Sequence, residues 1–273
     1  MSVVIPVYNT GVYLEQCILS AKNQTYPSIE IVVVHDGSNN ETKQVLHNLK
    51  NHIDILLTQE NTGQSTARNK GIHAGSGDYI LILDSDDYFM PEFVAKAISV
   101  LLKKPLVKFV SSYVQRFHEN TMGPLVKMEG GSIEAYLFRN ASVGNGLFRK
   151  NELLEIGGYD QEMREGYEDW EMMIRLLKNG GEAVVLPEAL FMYRSSLKFT
   201  THSAKTKRPQ LLHYIFCKHP ELYENRLETT LDFFRREQER LSREITKVQE
   251  RKEFRIGAAI LRPLRFIKKV FAL

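Results

Sequence analysis

A chain of 273 residues, 43% apolar, 25% charged and 10% aromatic, can bury one large core or two modest ones, which excludes disorder, collagen-like repeats and small disulfide scaffolds. Only Cys17 and Cys217 are present, far apart, so neither a disulfide framework nor a zinc knuckle is expected, and both read as buried small hydrophobes in a reducing compartment. The net charge of +3 does not mark a nucleic-acid binder, and five cations in residues 254–273, with no acid among them, leave residues 1–253 at a net −2.

The opening MSVVIPVYN lacks a charged segment followed by an apolar one, and no apolar run approaches the ~18 residues of a spanning helix. The expectation is a cytoplasmic protein that is neither secreted by a signal peptide nor integral to a membrane. SVVIPV (2–7), IEIVVV (29–34), IDILL (53–57) and YILIL (79–83) are short branched-aliphatic runs of the kind that form strands buried on both faces. Between them, helical spacing predicts helices over 11–23, 41–50 and 64–75. Strand and helix alternating in this way predict an α/β fold: a Rossmann-like, mainly parallel central sheet with helices on both faces. Ligands bind such sheets beyond the carboxyl ends of the strands.

Met90-Pro91-Glu92 starts a further helix reaching about Lys104. A strand over 107–117, a short helix over 133–139, and the strand-like stretches AVVLP and ALFMYR suggest a smaller α+β addition on the same sheet. Within it, Trp170, Met173, Ile174 and Leu177 mark an amphipathic helix from Glu168 to the Gly180-Gly181 stop. The expected organisation is a domain over 1–205 in two parts, 1–104 and 105–205. A helical C-terminal extension (206–273) follows. In it, Leu231, Phe234, Gln238, Leu241, Ile245 and Val248 form an a/d seam of about two and a half heptads, suited to homodimer pairing through 227–252 or to docking on the body. Residues 254–273 have the composition of a basic amphipathic helix on an anionic membrane surface, or of a lid.

Three polar clusters follow strands: Pro6-Val7-Tyr8-Asn9, Asp36-Gly37-Ser38 and Asp84-Ser85-Asp86-Asp87. Three carboxylates in four residues repel one another unless a cation or hydrogen-bond donors offset them, and a hard divalent ion shared with a diphosphate fits that need. Asn61-Thr62-Gly63 opens a helix that carries Arg68 toward the same edge, suited to a base carbonyl or a phosphate.

VVIPVYN, HDGS, ENTGQSTARNKGI, DYILILDSDD and GYEDWEMMIRL stand in the order and approximate spacing of the GT-A family 2 glycosyltransferases, which residues 1–200 resemble. The resemblance implies an inverting transferase that uses a nucleotide-sugar donor, UDP-linked, together with Mn2+ or Mg2+. Pro6 and Tyr8 would hold the base, Asp36 would accept its imide hydrogen, and Asn61 and Arg68 would complete the nucleotide pocket. In the Asp84-Ser85-Asp86 motif, Asp84 would contact the ribose and Asp86 would bind the metal. His35 stands where the family usually has an acid. Glu168-Asp169 matches the E-D motif, with Asp169 as general base, although a carboxylate at a helix start is also a simple cap, and with Trp170 as either a sugar platform or a core-packing ring. Gly144-Asn145-Gly146 matches a loop against the donor sugar. Ser196 occupies the position of a family histidine, so either His202, six residues further on, is the second metal or phosphate ligand, or that contact is missing. The resemblance makes 1–104 the nucleotide-binding half and 105–205 the acceptor and catalytic-base half, and the basic tail, which would hold the chain where lipid-linked acceptors are found, suggests a glycan or lipid-linked acceptor hydroxyl.

No Gly-rich basic loop follows the first strand, as a nucleotidylyltransferase would need. Aspartates after the fourth strand are wrongly placed for a dehalogenase-type phosphatase, and no G-x-G-x-x-G supports a dinucleotide oxidoreductase. A non-catalytic sugar-nucleotide-binding subunit that recruits another transferase is the alternative, and the intact Asp86 and Asp169 count against it.

Overall fold

The computed structural model describes residues 1–195 and 206–271, without the side chains of 262–271. It divides into two compact units, Met1–Lys218 and His219–Leu273. The first extends past the residue-205 boundary expected from composition.

The chain opens with β1 (Ser2–Val7), α1 (Gly11–Lys22), β2 (Glu30–Asp36), α2 (Asn40–Asn48), β3 (Ile55–Gln59), α3 (Gln64–Ala74) and β4 (Tyr79–Ile82). All six residues of β1 are buried, as its unbroken apolar run requires of a strand covered on both faces. These four strands pair in parallel in the order β3-β2-β1-β4, so the chain winds one way from β1 and then returns to β1's other side. The gap between the β1 and β4 carboxyl ends is the point where the strand order reverses, and it opens a crevice there.

Next come β5 (Tyr88–Phe89), α4 (Phe93–Lys103), β6 (Val107–His118), β7 (Thr121–Val126), α5 (Ile133–Tyr136), β8 (Gly146–Arg149), α6 (Lys150–Glu155), α7 (Glu168–Leu177) and β9 (Glu182–Arg194). They extend the same sheet as β4-β8-β6-β9-β5, with β7 on β6. The β6/β9 pair is parallel, while β4/β8, β6/β8, β6/β7 and β5/β9 are antiparallel. Parallel pairing therefore dominates the first half, and the second half is mixed.

AVVLP and ALFMYR join into the single strand β9, which Pro187 does not end. The register with β6 slips between Ser112 and Tyr113, whose partners are Leu186 and Ala189, so the proline sits in the bulge and removes no ladder bond.

Helix α8 (Arg208–Lys218) belongs to the first unit. Lys218 reaches Asp160 at 2.6 Å and Glu171 at 2.9 Å, and Arg175 pairs with the same fully buried Glu171 at 2.6 Å. These contacts tie α8 to α7. Cys17 is buried as expected, but Cys217 is exposed, because α8 turns that side outward, where the thiol lies 3.5 Å from His213 Nε2.

The second unit contains α9 (Leu227–Glu250) and α10 (Lys252–Phe271). No residue of α9 is buried, and Leu231, Phe234, Leu241, Ile245 and Val248 of the expected seam are all exposed. Its charges pair along the helix, as in Arg240 with Glu237 and Glu244. Among the described residues, no helix is long and apolar enough to cross a membrane.

Candidate active site

A cavity of about 910 Å³ opens at the carboxyl ends of β1, β2 and β4. Its walls include Pro6, Tyr8, Asp36, Asn61, Arg68, Asp84, Ser85, Asp86, Glu168 and Asp169, so ten of the residues singled out from sequence meet in one place. His202 lies outside the described residues.

At the β2 end, Asp36 is 3% exposed and anchors the loop opposite. Its Oδ1 accepts from Gln59 Nε2 (2.8 Å) and Thr62 N (2.9 Å), and its Oδ2 accepts from Gly63 N (3.0 Å). Oδ2 keeps a lone pair for a further donor. Gly37 has φ +68°, and a β-carbon there would lie 2.7 Å from Asn61 N, so only glycine allows the turn. His35 closes that turn: its Nε2 accepts from Ser38 N at 3.0 Å, which places the ring proton on Nδ1. Burial, then the charge of Lys43, lowers the imidazole pKa and favours this neutral form.

At the β4 end, the Asn145 side chain grips Asp84 twice, accepting from Asp84 N (2.8 Å) and donating to its Oδ2 (3.1 Å). Gln64 and Arg68 donate to Oδ1 at 2.9 and 2.7 Å. Burial, then the neighbouring Asp84 charge, pushes the Asp86 carboxyl up to about 6. Asp87 is 1% exposed; its Oδ1 accepts from Arg194 N at 2.7 Å, while its buried Oδ2 has no hydrogen-bond partner. Burial followed by Asp86 also raises its pKa. Oxygen donors that are costly to ionise when bare suit a hard divalent cation. Among the described residues, no three His, Cys, Asp or Glu side chains form a complete metal cage. The fit is to an ion that takes one or two carboxylates and fills its shell with phosphate oxygens.

The second acidic motif starts α7. Gly166 (φ +112°) and Tyr167 (φ +65°) form a left-handed turn that aims Glu168 and Asp169 back at the cavity. Asp169 Oδ1 accepts from Trp170 N (2.8 Å) and Oδ2 from Asn140 Nδ2 (2.8 Å). Asn140 Oδ1 is buried without a partner. Burial, then the Glu168 charge, pushes Asp169 up to about 6, outweighing the nearby Arg68 cation and its hydrogen bonds. The helix start therefore does not hold this carboxyl at a low pKa.

Arg68 connects the two motifs. Its guanidinium, 3% exposed, donates to Asp84 Oδ1 at 2.7 Å and to Glu168 Oε1 at 2.8 Å, and stacks 5.0 Å from the Tyr159 ring centroid. Burial alone would lower its pKa, but Asp84, Tyr159 and Glu168 together raise it, so it is a fixed cation. Expected in the nucleotide pocket, it lines the cavity and joins Asp84 to Glu168.

Two expected contacts fall elsewhere. Trp170 is 1% exposed, its indole donates to Tyr136 O at 2.6 Å, and its ring meets Tyr167 edge-on, so it packs in the core and offers no sugar platform. Gly146 is a buried residue of β8 where a β-carbon would lie 2.4 Å from the Phe109 ring, so its missing side chain admits a core phenylalanine and not a sugar. Asn145, from the Gly144-Asn145-Gly146 motif, also lines the cavity, as do Asn140 and Arg194, to which no motif in the sequence analysis pointed.

The fold is that of GT-A glycosyltransferases. It matches S. aureus TarS 1–349, solved with UDP-GlcNAc, with a TM-score of 0.63 at 21% identity over 74% of this chain and 60% of that one. It also matches a Pyrobaculum calidifontis mannosyltransferase, solved with GDP-Man and Mn2+, with a TM-score of 0.61 at 17% identity over 99% and 87%. The model of glycosyl transferase family 2 matches residues 2–158, and the chain belongs to that family. Two Haemophilus influenzae glycosyltransferases are 35% and 30% identical to it over 41% and 71% of this chain, matching 46% and 65% of their own lengths. The chain thus spans less than two thirds of these relatives. The family match ends before Glu168-Asp169, so the placement of that motif beside Asp84 rests on the fold.

Proposed function

We propose that the chain is an inverting glycosyltransferase that moves a hexosyl or N-acetylhexosaminyl group from a UDP-sugar to a hydroxyl of a glycan or lipid-linked acceptor. The observation that carries this reading is the Arg68 bridge, which holds the diphosphate-side and base-side carboxylates in one cavity. TarS and the mannosyltransferase were solved with nucleotide sugars, which supports the donor class.

The base lies against Pro6 and Tyr8, with the free Oδ2 lone pair of Asp36 receiving its imide N–H, and Asp84 meets the ribose. Asp169 takes the proton of the acceptor hydroxyl as that oxygen attacks the anomeric carbon. The bond from that carbon to the diphosphate oxygen breaks, its electron pair leaves with the nucleoside diphosphate, and the one displacement inverts the centre. Asp86 would hold Mn2+ or Mg2+, with His202 as the second candidate ligand. Such an ion supplies a Lewis acid for the charge growing on the leaving diphosphate. Residues 254–261 add exposed Phe254, Ile256, Ile260 and Leu261 to a basic segment, which supports peripheral contact with an anionic membrane on the cytoplasmic face. The exposed seam of 227–252 supports a homodimer.

Asp169→Asn tests the assignment. Transfer should fall by about 10²–10⁴-fold while UDP affinity in the presence of Mn2+ stays at the wild-type value, and transfer at the wild-type rate removes Asp169 from the base role.

A further inference from the structure

We infer that Arg116 recognises a phosphate group bound in the cavity, an inference that rests on the donor and acceptor reading above. Three arginines line this cavity, and they differ in what neutralises them. Arg68 is bonded to Asp84 and Glu168. Arg194 has no carboxylate, but its guanidinium donates to Asp86 O (2.8 Å) and to Gln16, and it lies against the Tyr13 and Phe117 rings at 4.2 and 4.5 Å.

Arg116 is half-buried, and among the described residues its guanidinium has neither an ion pair nor a hydrogen bond. Its one side-chain contact of note is the Tyr193 ring, 5.5 Å away, and the parallel register of β6 and β9 sets these two residues side by side on one face. A guanidinium lying on a ring uses its flat face there and keeps its in-plane N–H fork for another partner. Arg175 and Arg149, also partly buried, each have an acid, at 2.6 and 3.9 Å.

Withdrawing a cation from water without an anion is unfavourable, and the cost is recovered when an anion binds. Asp36, Asp84, Asp86, Asp87, Glu168 and Asp169 also line the cavity and repel an anionic ligand, and Arg68 is already committed to Asp84 and Glu168, so the free fork of Arg116 is the one suited to an incoming phosphate among the described residues. That phosphate has two sources: the donor diphosphate, or a phosphate carried by the acceptor.

Calorimetric titration of the full chain and of Arg116→Gln separates them, using UDP, uridine and, at saturating UDP, glycerol phosphate, with thermal melting to show that the variant folds. A loss of about tenfold or more in UDP affinity with uridine unchanged assigns Arg116 to the donor. Unchanged UDP affinity with loss of glycerol phosphate binding assigns it to the acceptor. Arg116→Lys, which keeps the charge without the fork, should retain part of either effect, and it carries the test if the glutamine variant does not fold. Wild-type binding of both ligands by a folded variant overturns the inference and leaves the transferase reading intact. A wild-type chain that binds no nucleoside diphosphate sinks the transferase reading instead, and glycerol phosphate alone then decides Arg116: no binding, or binding that survives the substitution, overturns its role.

Discussion

Gly144 and Asp169 are so close that a β-carbon on the glycine would lie 2.6 Å from Asp169 Cβ and 3.0 Å from its Oδ2. The Gly144 loop is thus the wall against which the proposed base is seated, while Asn140 holds Oδ2 from another side. The buried Asn145 on the same loop holds Asp84, so one short segment sets both acidic motifs.

Gly144→Ala should therefore displace Asp169 and leave the nucleotide pocket in place. The expected result is a fall in kcat of about 10²-fold, the order seen when a reacting group is misplaced by an ångström, with UDP affinity unchanged. Steady-state kinetics with parallel UDP calorimetry checks this, and an unaltered kcat would show that the helix absorbs the shift.

The pH profile has a definite sign. Asp169 must be ionised to accept a proton, and its carboxyl is pushed up to about 6. The kcat/KM should fall about tenfold per pH unit below that value and level off above it. Arg68 lowers this pKa, so Arg68→Gln should move the acid limb to higher pH. A limb unmoved by the substitution would separate the guanidinium from the base.

Asp86, also raised to about 6, binds protons more tightly folded than unfolded. Its sign is opposite to that of a salt-bridged acid: without metal, its contribution to stability declines as pH rises from about 4 to about 6. A bound divalent cation competes with that proton, so the rise in melting temperature on adding Mn2+ with UDP should be larger at pH 7 than at pH 5. Asp86→Asn should reduce the metal-dependent part at pH 7, and differential scanning fluorimetry with EDTA controls reads both.

Trp170 gives a test of core against site. Its burial and its bond to Tyr136 O predict that Trp170→Phe loses about 1–3 kcal/mol of stability, from an unpaired buried carbonyl and lost packing. The acceptor KM of the surviving fold should not change, whereas a raised KM with unchanged melting would restore a sugar contact.

Buried strands and the polar clusters that follow them were legible because both are local: Val3, Val4 and Ile5 read as a buried strand wherever they occur, and the chain must turn after it. The α7 stripe was legible for the same reason, with Trp170, Met173, Ile174 and Leu177 all buried. The strands before Asp36 and Asp84 were enough to bring these two to one sheet edge, whereas Asp169, in the first turn of α7, was legible only through the family resemblance. Which side chains touch was decided by neighbours distant in sequence. Arg68 meets Glu168 across 100 positions, and Gly146 is occupied by Phe109 and not by a ligand. Trp170 looked like a platform beside an acidic pair, yet helical geometry rotates adjacent residues by about 100°, so Asp169 faces the cavity while Trp170 faces the core. Pattern determines which elements form and where they end, whereas the partner of each polar group is set by packing between elements, which only the tertiary structure decides.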